Sequence, residues 1–88
     1  MIKETYKYIL ENSLKILKKE DSYYGGGAAM DGKEEMIEDC EQEIKQIEAG
    51  TFEPTVEDFI DLFYIYELIL IDNKELLSRA ELERRNNV

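Results

Sequence analysis

Hydrophobic residues in the first twenty positions recur with the period of an α-helix. At 100° per residue, one side of the projected helix carries a stripe of seven large side chains, namely Ile2, Tyr6, Ile9, Leu10, Leu14, Ile16 and Leu17. The lysines of this segment project mainly to the opposite side. This pattern predicts an amphipathic helix over residues 2–20 that buries its apolar stripe.

The next apolar period begins only after a glycine-rich interruption. Residues 21–31 include three consecutive glycines, so they predict a loop. The apolar residues that follow have spacings of 3, 4 and 3, and they are Ile37, Cys40, Ile44 and Ile47. This seam predicts a second helix over residues 32–49, with Asp31 as its N-cap and Gly50 as the residue that ends it.

The third predicted helix is apolar around its whole circumference. Thr55 is a suitable N-cap, and eleven of the thirteen residues 59–71 are aliphatic or aromatic. A strand is the competing interpretation, but the capped start and the lack of internal turn residues favour a helix over residues 55–72. A helix that is hydrophobic on all sides is either central in a core or shared with another chain.

A fourth helix over residues 73–85 completes the predicted fold. Asp72 and Glu75 have the spacing of a capping pair, although the third helix could instead continue to about residue 85. We therefore expect one all-α domain over residues 1–88, a small bundle of three or four helices completed by oligomerisation. The oligomer interface is predicted on the third helix, at Phe59, Leu62, Phe63, Tyr66, Ile69 and Leu70.

The net negative charge of the chain is confined to its middle. Residues 31–61 contain twelve acidic residues and two lysines, which account for the whole formal charge of −10. Acidic pairs at i,i+4 destabilise a helix, so a second helix that carries several of them is not optimised for stability alone. We predict a partner-binding surface at Glu34, Glu35, Glu38, Asp39, Glu41 and Glu43. The alternative is a solvated face that is paired in part with the lysines of the first helix.

A concentrated acidic surface attracts basic partners and repels nucleic acids and anionic membranes. The expected partner is therefore a basic protein surface, such as that of a nucleic-acid-handling protein, and the expected role is that of an inhibitor or regulator. In size and charge, but in nothing more specific, the chain is similar to small acidic inhibitors that phages and mobile elements encode.

Two other functions are compatible with the sequence. The glycine-rich loop and a nearby lysine could bind a small ligand such as a nucleotide, through Tyr23, Tyr24, Gly25, Gly26, Gly27 and Lys33. Its spacing does not match a P-loop or a dinucleotide-binding fingerprint, and no strand precedes it. The second alternative is a structural oligomerisation module.

The absence of histidine and the presence of a single cysteine limit the catalytic, metal-binding and disulfide chemistry that we expect. The chain has no histidine, which excludes Ser-His and Cys-His catalytic pairs and histidine-bound metals. We therefore expect no enzymatic activity, no cofactor and no metal site. A single cysteine, Cys40, excludes an internal disulfide and suits a reducing compartment, and we expect a cytoplasmic protein.

Overall fold

The computed structural model describes residues 2–19 and 30–86, and of residues 30 and 31 only the backbone. The described residues form five helices and no strand, which confirms the predicted all-α class. The helices are α1 (Ile2–Leu17), α2 (Met30–Ala49), α3 (Val56–Ile65), α4 (Glu67–Asp72) and α5 (Lys74–Asn86).

Helix α1 is the element around which the others pack. It contacts α2, α3 and α5, so its apolar stripe is covered from several directions. Ile9, Leu10 and Leu17 are completely buried. Burial of each such side chain contributes about 1.5–3 kcal/mol to folding. The core is therefore centred on the first helix and not on the more hydrophobic third predicted helix.

Small polar residues allow neighbouring helices to approach α1 closely. Thr5 and Ser13 are buried together with the apolar stripe. The Thr5 Oγ1 hydroxyl donates a hydrogen bond of 2.6 Å to Glu83 Oε1, which joins α1 to α5. The Ser13 hydroxyl has no hydrogen-bond partner in the described part of the chain. Hydrophobic periodicity could not identify either residue as buried.

The two ends of α2 differ in how well the sequence predicted them. Gly50 has a φ of +78°, and its N–H donates to the Ile47 carbonyl while the Thr51 N–H donates to the Gln46 carbonyl. This is a Schellman motif, and it confirms Gly50 as the residue that ends the helix. The prediction of Asp31 as N-cap is wrong, because α2 begins at Met30. Methionine is a strong helix former, so the helix extends past the cap signal.

The third predicted helix is confirmed at its start and interrupted near its end. Thr55 is the N-cap of α3 and forms a reciprocal capping box with Asp58. Tyr66, with φ −107° and ψ 22°, separates α3 from α4. The break is local, because the Tyr66 N–H still donates to the Leu62 carbonyl and its own carbonyl accepts from Leu70. Helices α3 and α4 therefore follow each other with a break of one residue, and together they are called the α3–α4 rod.

Asn73 decides between the two alternatives for the C-terminal segment. It is extended, with φ −126° and ψ 87°, and it ends α4 one residue before α5 begins. The prediction of a separate fourth helix is therefore correct, and a single helix through residue 85 is excluded.

The structure contradicts the residues assigned to an oligomer interface. Five of the six lie in the core of the chain itself: Phe59, Leu62, Tyr66, Ile69 and Leu70. The sixth, Phe63, is partly buried and packs against that core. The reason is that α3 and α4 pack on α1 and α5 through this face. Five of the apolar residues that remain exposed on α3 and α4 form a different set, here called the outer stripe: Ile60, Tyr64, Ile65, Leu68 and Ile71.

Two leucines of the α3–α4 rod distinguish its two faces. Leu62 is 1% exposed, and its replacement by Ala should lower the free energy of unfolding by about 2–5 kcal/mol through lost burial and a cavity. Leu68 is 63% exposed, and the same replacement should change this free energy by less than about 0.5 kcal/mol. Urea unfolding followed by circular dichroism measures both, and equal losses would show that the two faces are assigned wrongly.

Candidate protein-binding surface

The acidic side chains of α2 fall into two groups because this helix lies against the lysine-bearing α1. Toward its C-terminal end, Glu41 Oε2 lies 3.3 Å from Lys18 Nζ, and Glu48 Oε2 lies 3.5 Å from Lys7 Nζ. The third contact in this group is a hydrogen bond of 2.7 Å that Tyr6 Oη donates to Glu43 Oε1. Two of the predicted partner-binding residues, Glu41 and Glu43, are therefore engaged within the chain. Glu41 is paired with a lysine of α1, as the alternative interpretation expected, whereas Glu43 is bound by a tyrosine.

The remaining four predicted residues form what we call the acidic face. Glu34, Glu35, Glu38 and Asp39 are exposed, and within the described part of the chain their side chains make no ion pair or hydrogen bond. They form two rows at i,i+4, with Glu34 and Glu38 in one row and Glu35 and Asp39 in the other. Such like-charge neighbours repel each other, so a bound cation would relieve an unfavourable interaction.

A groove connects the acidic face to the outer stripe. It has a volume of about 520 Å³, and its α2 wall includes Glu35 and Asp39. Its opposite wall is formed by the α3–α4 rod, with Tyr64, Ile65 and Leu68. Hydrophobic periodicity along the chain does not reveal this juxtaposition. The spacings of 4, 4 and 3 from Ile60 through Tyr64 and Leu68 to Ile71 were the available signal, but they were hidden by the equally apolar inner face.

Of the residues predicted to bind a small ligand, Lys33 alone lies within the described part of the chain. Tyr23, Tyr24, Gly25, Gly26 and Gly27 lie outside the described residues. The Lys33 ammonium donates a hydrogen bond of 2.8 Å to the carbonyl of Lys19, just beyond the C-terminal end of α1. This hydrogen bond joins the first turn of α2 to the chain just after α1.

Cys40 is buried at the interface of α1 and α2. Its Sγ donates a hydrogen bond of 3.0 Å to the Leu10 carbonyl. Burial raises the pKa of the Cys40 thiol to about 11, and the nearby carboxylates of Glu43 and Glu41 act in the same direction. The side chain therefore serves as a small apolar residue that also donates a hydrogen bond from α2 to α1.

The described residues contain neither a metal-binding cluster nor a membrane-spanning helix. They contain no group of three or more acidic, cysteine or histidine side chains arranged to hold a metal ion. In the same part of the chain, every helix is too short or too polar to cross a membrane.

Comparison of the chain with protein-family models, with curated proteins and with solved structures finds no match. The function must therefore be argued from the surface itself.

Ionisation of Cys40 should couple stability to alkaline pH. The thiol of the unfolded chain ionises near pH 9 and that of the folded chain near pH 11, so its contribution is complete below pH 9 and is lost as the pH rises toward 11. Between about pH 8 and about pH 10.5, Cys40→Ala should therefore lose less unfolding free energy than the native chain does, by about 1–2 kcal/mol.

Urea unfolding at the two pH values measures this difference. Ile44→Val, a core substitution without a titratable group, serves as the control and should lose as much stability with pH as the native chain. An equal pH dependence in Cys40→Ala and in the native chain would contradict the assignment of a buried, neutral thiol.

Proposed function

We propose that this chain is a non-enzymatic interaction protein that docks its acidic face on a basic surface of a partner protein. The observation that carries the proposal is the division of charge along α2. Glu34, Glu35, Glu38 and Asp39 are exposed and without ion pairs in the described part of the chain, although lysines of α1 pair with other acids of the same helix.

The arrangement of these four carboxylates suits a surface that ordinarily binds phosphates. Residues at i,i+4 on a helix have their Cβ atoms about 5–6 Å apart, and the helix holds them in a fixed order. A rigid row of negative charges at such intervals offers lysines and arginines a substitute for a nucleic-acid backbone. The partner that fits this chemistry is a nucleic-acid-handling protein, and occupation of its basic site would inhibit or regulate it.

The energetics of such docking are dominated by charge. The acidic face is solvent-exposed, so its long-range attraction speeds association and is screened over about 8 Å at physiological ionic strength. Binding should therefore weaken steeply with salt. The same face disfavours direct contact with nucleic acids or anionic membranes.

Reversal of charge on the acidic face tests the proposal. The double variant Glu38→Lys/Asp39→Lys should no longer retain the partner, because two attractive charges become repulsive at the centre of the face. A control variant, Glu4→Lys/Glu75→Lys, makes the same change in net charge at two exposed acids that line a separate groove between α1 and α5. This control should retain the partner.

The measurement is a quantitative mass-spectrometric comparison of proteins captured from nuclease-treated lysate by the native chain and by both variants. The expected result is a basic protein that the native chain and the control retain, the acidic-face variant loses, and high salt elutes. Equal capture by all three chains, or capture that is insensitive to salt, would refute the proposal.

A further inference from the structure

The outer stripe is an apolar surface that the described helices leave uncovered. Its members are between 41% and 75% exposed, with Tyr64 the most accessible and Ile60 the least. Monomeric proteins rarely leave a contiguous apolar patch of this kind without a binding role. The inner face of the same rod is buried in the core, so the described helices cover one of its apolar faces and leave the other exposed.

The outer stripe has a shape to which a single helix of another chain could bind. Ile60, Tyr64, Leu68 and Ile71 follow one another at spacings of 4, 4 and 3, which is the spacing of residues along one face of a helix. A groove borders the row on each side, one against α2 and one of about 370 Å³ against α5. A ridge between two parallel grooves suits an amphipathic helix whose apolar side chains enter the grooves on either side.

The charges around the outer stripe indicate which net charge a bound helix should carry. Glu35 and Asp39 stand on the α2 wall, and Glu67 borders both grooves. The chain contains no lysine or arginine between Lys45 and Lys74, so the whole rod is free of positive charge. On the α5 wall, Glu81 is accompanied by Arg84, whose guanidinium lies 5.5 Å from the centre of the Phe63 ring.

This charge distribution disfavours a second copy of the chain as the occupant. An antiparallel two-fold dimer across the stripe would bring the acids of the two α2 walls together, and a parallel one would bring the two Glu67 side chains together. Like charges juxtaposed across an interface cost several kcal/mol. A helix with leucine-like residues on one face and lysines or arginines at its flanks instead satisfies both the apolar ridge and the acidic rim.

We propose that the outer stripe and its groove against α2 bind a basic amphipathic helix of a partner protein. This inference rests on the proposed function, because it shares Glu35 and Asp39 with the acidic face, and it names the structural element that the partner presents. Apolar burial on the stripe supplies affinity, while the acidic rim selects a cationic helix and rejects an anionic one.

The test uses a designed peptide as the probe. It has about 15 residues of leucine and lysine arranged so that the leucines fall on one helical face, and it carries a fluorescent label. A second peptide has the same composition with the leucines distributed around the axis. Fluorescence anisotropy measures affinity for the native chain, and circular dichroism measures the helix gained on binding.

Paired variants separate the two parts of the surface. Tyr64→Ser/Leu68→Ser removes apolar contacts from the ridge, whereas Val56→Ser/Leu82→Ser removes two exposed apolar side chains that line neither groove. The native chain should bind the amphipathic peptide at least about tenfold more tightly than the rearranged one, and the ridge variant should lose at least about tenfold. The control variant should bind as the native chain does.

Each of four results would overturn the inference. The first is equal binding of the two peptides, and the second is undiminished binding by the ridge variant while Glu38→Lys/Asp39→Lys binds weakly. This second result would leave the proposed function intact and refute only the role of the stripe. The third is a native chain that sediments as a dimer and a ridge variant that sediments as a monomer, which would make a second copy the occupant.

Amide chemical-shift changes on the native chain locate the bound peptide without any variant. Changes confined to α1 and α5 would be the fourth result that overturns the inference.

Discussion

The burial of α1 is the interaction on which the remaining structure depends. The helix contacts α2 on one side and α3 and α5 on others, and Ile9, Leu10 and Leu17 lose all contact with water. An 88-residue chain has a limited core, so the element that contacts most of the others determines their relative positions. The hydrogen bonds from Thr5 to Glu83 and from Cys40 to the Leu10 carbonyl link α1 to α5 and to α2.

The position of α1 also determines which charges remain available. Its lysines reach Glu41 and Glu48 on one flank of α2, and Tyr6 reaches Glu43. Each exposed ion pair contributes less than about 1 kcal/mol, so these contacts matter less for stability than for the charge they neutralise. The N-terminal half of α2 receives no such neutralisation in the described part of the chain, and the acidic face is the result.

The α3–α4 rod has two apolar faces, of which one is buried in the core and the other is exposed. One face carries Phe59, Leu62 and Ile69 into the core, where the Phe59 ring also packs against that of Tyr6. The opposite face carries the outer stripe beside the acidic face, across a groove. A surface that combines apolar and acidic groups can recognise a partner by both burial and charge, whereas either property alone would be less selective.

The sequence alone determined the helical class, most helix boundaries and the concentration of acid in the middle of the chain. These features depend on interactions between residues that are close in the sequence. Apolar periodicity, the Thr55 capping box and the glycine at position 50 each act within a few residues. Only the tertiary structure decided which acids are neutralised and which face of residues 59–71 is exposed. Those outcomes depend on which helix packs against which side, and a segment that is apolar all round contains no local signal of which side the core will cover.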